Sequence, residues 1–429
     1  MIEWKKYKLA DLITIKHGFA FKGEFITDEE TPNLLLTPGN FAIGGGFQVK
    51  KMKFYSGQIP KDYILSQGDL IVTMTDLSKE ADTLGYSAVV PKASHVMLHN
   101  QRLGKVAVKS SYTTLDFVHW VLRTSDYRHE ILSNYSGSTV KHTSPSKILA
   151  FEFSLPPLDE QRKIADVLGA LDDKIELNRR MAATLEEMAQ ALYRSWFVDF
   201  DPVKAKAEGL APAFMDEATA ALFPDRFGDD GLPEAWGMGC VTDVFDVVMG
   251  QSPPGNTYND RGEGLPFYQG RTDFGFRFPS QRVFCSAPKR IAPRDSVLLS
   301  VRAPVGDLNR AWEECCIGRG VASLSEKEGR NAYGYEALWA LSEDLKAYDS
   351  EGTVFGAINK NQLSGLSLVV PPKSTRAAFE ERVRSMDDRI RNVTAETRTL
   401  TALRDSLLPK LMSGELRVGE ARDQIEEVA

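Results

Sequence analysis

The feature of this 429-residue sequence that most limits its fold is that it repeats itself. Gly137 matches Gly352, Pro156-Pro157 matches Pro371-Pro372, Asp172-Asp173 matches Asp387-Asp388, Ile175 matches Ile390 and Leu192 matches Leu407, all at a spacing of 215. Upstream the match continues but its spacing drifts. Trp4, Asp11 and Gly18 match Trp236, Asp243 and Gly250 at 232, Phe41 matches Phe274 at 233, Asp69 matches Asp295 at 226, and Arg102 matches Arg319 at 217. Drift means insertions and deletions, which surface loops tolerate, whereas a constant spacing means a rigid element of fixed length. Each half is therefore a variable globular part followed by a rigid part.

The rigid part reads as a long helix. Ile164, Leu168, Leu171, Ile175, Asn178, Ala182, Leu185, Ala189, Leu192 and Trp196 alternate by four and three residues, and every member except Asn178 is apolar. The matching positions Phe379, Val383, Met386, Ile390, Val393, Thr397, Leu400, Arg404, Leu407 and Leu411 carry the same stripe, broken only at Thr397 and Arg404. Each stripe covers about five heptads, so each helix should be ~57 Å long at 1.5 Å per residue. Neither can bury its stripe alone, and two seams of equal length in one chain are natural partners. If a pseudo-twofold axis relates the halves, the helices run antiparallel. Asn178 either fixes the register of the pair or sits at a wet, splayed spot.

Before each helix, strand-like stretches at 69–74 and 296–301 alternate with turns such as Gly44-Gly45-Gly46 and Ser252-Pro-Pro-Gly255. One helix is expected in each globular part, at 115–132 and 333–348. The fold class is thus α+β: two mixed domains, 1–154 and 236–370, separated by two long antiparallel coiled-coil helices within 155–198 and 371–416. A Pro- and acid-rich connector at 199–235, with a short helix near 215–222, and a tail at 417–429 complete the chain.

Hydrophobic residues make up 42% and charged residues 26%, which suits two or three domains with real cores and excludes a disordered or fibrous chain. No apolar run approaches the ~20 residues of a membrane helix, and the N-terminus lacks an apolar signal core, so a cytoplasmic protein without a membrane partner is expected. Cys240, Cys285, Cys315 and Cys316 form no CxxC pair and read as reduced thiols. His95 and His99 lie in β context and read as sheet or core residues, not as a metal pair. The Pro-Pro pairs lack the Asn/Asp-Pro-Pro-aromatic pattern that holds a flipped adenine, no GxxxxGK[ST] loop occurs, and Pro224-Asp225 is not followed by the Glu-x-Lys of a nuclease. No catalytic, cofactor-binding or metal-binding residue is expected.

The stretches Leu155-Pro-Pro-Leu-Asp-Glu-Gln-Arg-Lys-Ile164, Leu171-Asp-Asp-Lys-Ile175 and Ser195-Trp-Phe-Val-Asp-Phe200 strongly resemble the central region of specificity subunits of type I restriction-modification systems. The resemblance covers the whole chain, including the weaker second copy Val370-Pro-Pro-Lys373 and the closing Leu411-Met-Ser-Gly-Glu-Leu416. It implies two target recognition domains, each reading half of a split duplex DNA sequence, and a helical spacer that docks two methyltransferase subunits and, through them, restriction/translocase subunits. S-adenosylmethionine, ATP and Mg are then expected on those partners and not here. Pro156, Pro157, Gln161, Ile164, Leu168, Ile175, Asn178, Phe379, Val383 and Ile390 become the spacer and docking residues. The second copy has Ser374-Thr375-Arg376 in place of Asp159-Glu160-Gln161, which sets equal docking at both ends in question.

The net charge of −7 argues against a general polyanion binder, but it is unevenly spread. Residues 1–150 carry +4, 151–235 carry −9, 236–370 carry −2 and 371–429 are neutral. Within the second domain Arg271, Arg277, Arg282, Lys289, Arg290, Arg294 and Arg302 face only Asp273 and Asp295 in sequence, and in the first domain Lys50, Lys51, Lys53 and Lys61 interleave with Phe54 and Tyr55. Such clusters can neutralise phosphates, or can simply be solvated faces. Identical repeat positions such as Asp69/Asp295 and Arg102/Arg319 read as scaffold, because domains reading different sequences share fold and not base contacts. Positions that align but differ are recognition candidates: Phe19-Ala-Phe-Lys22 against Gln251-Ser-Pro-Pro254, and Thr75-Asp76 against Val301-Arg302. Arginine suits guanine and glutamine suits adenine, at ~1–3 kcal/mol of discrimination each. The DNA-binding candidates are Lys22, Lys50, Lys51, Lys53 and Asp76 in the first domain, and Gln251, Arg271, Arg277 and Arg302 in the second. The spacer should set half-site centres ~34–36 Å apart, one duplex turn. Two other readings fit the same pattern: a protein-interaction scaffold indifferent to DNA, and a subunit with one decayed recognition domain.

Overall fold

The computed structural model describes residues 4–49, 52–349 and 356–427. Gly352, Lys50 and Lys51 lie outside the described residues. Two compact units are formed, one from residues 1–178 with 395–429 and the other from residues 179–394.

In the first unit, Lys5–Lys8 pairs antiparallel with Glu152–Leu155, closing the globular part just before the first long helix starts. A four-stranded sheet runs Ile13–His17, Leu103–Val108, Leu70–Thr73, Ser87–Val89. A five-stranded sheet runs Ile26–Thr27, Phe54–Tyr55, Asn33–Leu35, Val96–Leu98, Ile64–Leu65. Leu70–Thr73 is buried throughout, as its unbroken β-branched and apolar run requires.

The second unit has the same design. Gly237–Cys240 pairs with Ser367–Val370; the four-stranded order is Phe245–Met249, Val321–Glu326, Val297–Ser300, Leu308–Arg310. The five-stranded order is Tyr258–Asn259, Phe284–Cys285, Leu265–Tyr268, Cys315–Ile317, Ile291–Ala292, and the one parallel pair in each five-stranded sheet occupies the same place. Registers agree as well: Lys5 opposes Leu155 as Gly237 opposes Val370, and His17 opposes Gly104 as Met249 opposes Ala322. The repeat seen in sequence is a repeat of topology.

Those registers also correct two of the sequence matches by one residue. Leu70 to Thr73 superpose in pairing on Val297 to Ser300, a spacing of 227, and Gly104 on Ala322, a spacing of 218. Asp69 therefore corresponds to Ser296, and Arg102 to Gly320. Likewise Thr75, paired with His142, corresponds to Arg302, paired with Ala357, so Arg302 does not stand where Asp76 does.

The long helices are Leu158–Phe197, 40 residues, and Lys373–Ser413, 41 residues. In the first unit their contributions run antiparallel: Asp172 meets Arg404 at 2.5 Å while Asn178 donates to Glu396 at 3.0 Å. The second unit shows the same sense, with Met181 Sδ 3.3 Å from Arg389 and the rings of Tyr193 and Phe379 5.6 Å apart. The apolar stripes are wider than a coiled-coil seam because in each unit the paired helix segments also face that unit's globular part. Ile164, Leu168, Leu171 and Ile175 join Leu400, Leu407 and Leu411 in one core with Leu9, Leu70, Phe117 and Tyr127. Trp196, Phe197, Phe379 and Val383 join Val241, Phe245, Leu299 and Tyr333 in another.

Two expected elements differ, and the tail carries an element for which no expectation was stated. The helix at 115–132 is two helices, Leu115–Val121 and Ser125–Asn134, because the Thr124 hydroxyl caps a new start at Tyr127 N. The helix at 333–348 is likewise Asn331–Ala340 and Ser342–Ala347. In the tail, Val418–Glu426 is a helix whose Val418 and Ala421 are buried, matching Asp201–Ala207 and its buried Val203 after the first long helix. Among the described residues no helix is long and apolar enough to cross a membrane.

Candidate nucleic-acid interface

In each unit, a glycine fixes the edge where the four- and five-stranded sheets meet. A Cβ on Gly18 would lie 2.0 Å from the Asn100 carbonyl oxygen, and one on Gly250 would lie 2.1 Å from that of Gly318, so no larger residue fits. The next residue is thereby held to the neighbouring turn: Phe19 N donates to His99 O and Gln251 N to Ile317 O. Here the units diverge. Phe19 packs with Phe21 and Tyr63 at ring distances of 5.1 and 5.2 Å, whereas Gln251 is exposed.

The second unit collects several exposed polar side chains at this edge. Val301 N donates to Gly320 O and Gly320 N to Gln269 O, which brings the residues around Gln251, Gln269, Arg302 and Arg319 to one end of the sheets. Ser252 and Gln269 are hydrogen-bonded at 2.8 Å, and Arg319 N donates to the same Ser252 hydroxyl at 3.3 Å. Arg271, two residues beyond Gln269, is half-exposed and pairs with Asp307 at 2.7 Å. Arg282, Lys289, Arg290 and Arg294 are exposed too, with Arg282 held 2.9 Å from Asp273. Sequence matching set Arg319 aside as scaffold through its apparent identity with Arg102. The one-residue register shift removes that identity and returns Arg319 to the candidate surface.

Two candidates face inward instead, and both readings are corrected. Arg277 has a side chain 2% exposed. It pairs with Glu186 on one long helix, with Asp387 on the other at 2.7 Å and with Glu336 at 3.3 Å, and stacks 3.9 Å from the Tyr335 ring centre. Burial drives the Glu336 carboxyl up to about 8, and one of its oxygens lacks a hydrogen-bond partner, as a protonated carboxyl tolerates. Asp76 is also buried. Burial opposes its charge, but donation from Ser78 N, Thr83 N and the Thr83 hydroxyl, each at 2.6 Å, holds its pKa below the usual carboxylate range. It organises the loop that follows it. In the first unit Lys22 is exposed beside Glu24 at 3.8 Å, and Lys53 pairs with Asp28 at 2.5 Å.

The expected docking residues form the interior of the units. Gln161, Ile164, Leu168, Ile175, Asn178, Phe379, Val383 and Ile390 are each at most 1% exposed, Pro156 is buried, and only Pro157 reaches the surface. Gln161 clamps the helix start to the globular part: it accepts from the Thr113 hydroxyl at 2.9 Å and donates to Tyr112 O and Pro156 O, both at 2.8 Å. Arg376, its repeat counterpart, does the same work with a buried ion pair to Glu326 at 2.9 Å. The missing Glu-Gln of the second copy is thus a change of internal clamp. The repeated aspartates serve a parallel purpose, Asp172 binding Arg123 and Arg404, and Asp387 binding Arg277 and Arg310. Burial works against both carboxylates, and these guanidiniums keep them ionised below the ordinary range.

His95 pairs with Glu30 at 3.0 Å, and His99 donates to Leu103 O at 3.0 Å, burial pushing its pKa down to about 4. Neither is arranged to hold a metal, and no metal-ligand cluster occurs among the described residues.

The family profile described as type I restriction modification DNA specificity domain matches residues 1–187 and 233–402. A Haemophilus influenzae relative, the type I restriction enzyme HindI specificity subunit, is 24% identical, over 97% of this chain and all of its own length. A Methanocaldococcus jannaschii relative, the putative MjaX specificity subunit, is 28% identical over 62% of this chain, which spans 59% of that relative. The crystal structure of a type I restriction-modification S subunit from M. genitalium superposes with a TM-score of 0.58 at 17% identity, covering 96% of each chain. That likeness is one of fold.

Proposed function

The chain belongs to the type I restriction-modification DNA specificity family, so it is a DNA-recognising specificity subunit and not a catalytic one; from that premise we propose that its two globular domains, 1–154 and 236–370, each read one half of a bipartite duplex target. One observation carries the proposal. Two domains share strand order and register yet differ in what they present at the same edge: Gln251 and Arg302 are exposed in one, whereas at the matching places of the other Phe19 is half-buried and Thr75 buried. Shared frame with divergent edge is what two readers of different sequences need.

In this reading Gln251, Arg271, Arg302 and Arg319 read bases or phosphates in the second half-site, and Lys22, Lys53 and the neighbouring Lys50 and Lys51 serve the first. The helical segments 155–198 and 371–416 act as the spacer, with 199–235 as connector, and their exposed faces dock two methyltransferase subunits that in turn carry the restriction subunits. S-adenosylmethionine, ATP and Mg belong to those partners. Inserting one heptad into one long helix alone tests the spacer role: binding to the native site should be lost while a changed half-site spacing restores it. Unchanged affinity and unchanged spacing would refute it.

A further inference from the structure

One turn is built alike in both units and projects the same side-chain position to solvent. In the first unit it joins Val96–Leu98 of the five-stranded sheet to Leu103–Val108 of the four-stranded sheet, and in the second it joins Cys315–Ile317 to Val321–Glu326. Leu103 N donates to Asn100 O at 2.9 Å and Val321 N to Gly318 O at 3.0 Å, which closes each as a four-residue turn. The flanking bonds match one for one: Gly18 N to Leu103 O and Gly250 N to Val321 O, Phe19 N to His99 O and Gln251 N to Ile317 O, Met74 N to Arg102 O and Val301 N to Gly320 O. Their acceptors share the spacing of 218 that also relates Gly104 to Ala322. Gln101 and Arg319 are therefore one position, the first of the two residues at the tip of the turn.

The backbone at that position is committed to the frame, Gln101 N donating to Phe19 O at 2.9 Å and Arg319 N to the Ser252 hydroxyl at 3.3 Å. Both side chains are exposed. Among the described residues neither is tied to a neighbour by a side-chain hydrogen bond or ion pair, whereas Arg271 is held by Asp307. Other positions at this edge do not serve both units: Phe19 is half-buried and Thr75 buried where Gln251 and Arg302 are exposed. The second tip position fails as well, because the counterpart of exposed Arg102 is the buried Gly320, where a Cβ would lie 2.5 Å from Gln269 O. A rigid base carrying one free polar side chain suits direct readout, and the paired groups of glutamine and arginine fit adenine N6/N7 and guanine O6/N7 in the major groove.

We infer that this turn is the base-reading position shared by the two domains, Gln101 contacting an adenine in the first half-site and Arg319 a guanine in the second. The inference rests on the bipartite reading above and adds to it a residue of the first domain and the base that each turn contacts.

The test uses the full chain with the subunits it carries in its host, and unmethylated duplexes of its native site in which each purine in turn is replaced by the 7-deaza analogue, which lacks the N7 acceptor. Affinity is read by fluorescence anisotropy at fixed salt. The unsubstituted protein should lose about 2–12-fold, the worth of one hydrogen bond, at an adenine of one half-site and at a guanine of the other. Gln101→Met and Arg319→Met should each bind the native duplex roughly 5–150-fold more weakly, and each should be indifferent to the 7-deaza replacement at its own purine. Three results would overturn the inference: a variant that binds as tightly as the unsubstituted protein, a variant that keeps the full sensitivity to every 7-deaza purine, which makes its side chain a phosphate contact, or two variants that respond in the same half-site. Should a variant unfold early in calorimetry, the unsubstituted protein still decides, because insensitivity to 7-deaza purines in either half-site refutes base reading there. A continuous target in the methylation map would instead defeat the bipartite reading itself.

Discussion

Replacing Arg277 by Met separates a structural arginine from a base-reading one. The guanidinium is enclosed by Glu186, Asp387 and Glu336, and its removal leaves Glu186 without a counter-ion while Asp387 keeps Arg310. Breaking a buried ion pair from one side costs about 3–5 kcal/mol. Because Glu336 is already driven toward its neutral form by burial, the lower half of that range applies, about 3–4 kcal/mol. For a unit of this size each kcal/mol moves the midpoint by ~2–4 °C, so calorimetry of the full chain should show a fall of roughly 6–16 °C. Adding Glu186→Gln to the variant should recover part of the loss, since the two sites share one interaction. A base-contacting arginine would behave in the opposite way, leaving the midpoint unchanged and weakening specific binding by ~1–3 kcal/mol. A midpoint within about 1 °C of the unsubstituted chain would refute the buried-cluster reasoning.

Arg302→Ala should do what Arg277→Met does not: it is exposed, so stability should change by less than ~0.5 kcal/mol, while affinity for the native DNA site falls ~5–150-fold in a titration at fixed salt. Gln161→Ala strands the Thr113 hydroxyl and the Tyr112 and Pro156 carbonyls, and denaturant unfolding should register a loss of about 1–3 kcal/mol. The pH dependence follows from Glu336, whose folded pKa of about 8 lies above its unfolded value. Its contribution is complete below the unfolded pKa and lost progressively as pH climbs to about 8, so the unfolding midpoint should decline between about pH 5 and 8 and level off above, and Glu336→Gln should flatten that decline.

The parts of the fold legible in the sequence were those that a period or a spacing encodes. The 4-3 stripe reports helix, and the constant spacing of 215 reports two helices of equal length in equivalent places. Identical Asp172 and Asp387 reported a shared duty, although only the structure identified it as anchoring arginines. What escaped was set by single residues acting across the chain. Thr124 splits a helix through one hydroxyl, and Gln161 and Arg376 perform one task with unlike chemistry, so their aligned positions show two different residues and not the shared duty. The candidate site suffered most at Arg277. A run of basic residues looks like a phosphate-binding face until a carboxylate from each long helix is found around one of its members. Arg319 was lost in the other direction, through a one-residue slip in a loop where the spacing drifts.

Mapping methylated adenines in the host genome, with and without this gene, tests the central claim most directly. Two short half-sites separated by a fixed, unread spacer should be methylated when the gene is present and unmodified when it is absent. A continuous target, a single half-site sufficient for methylation, or a pattern indifferent to the gene would contradict the account.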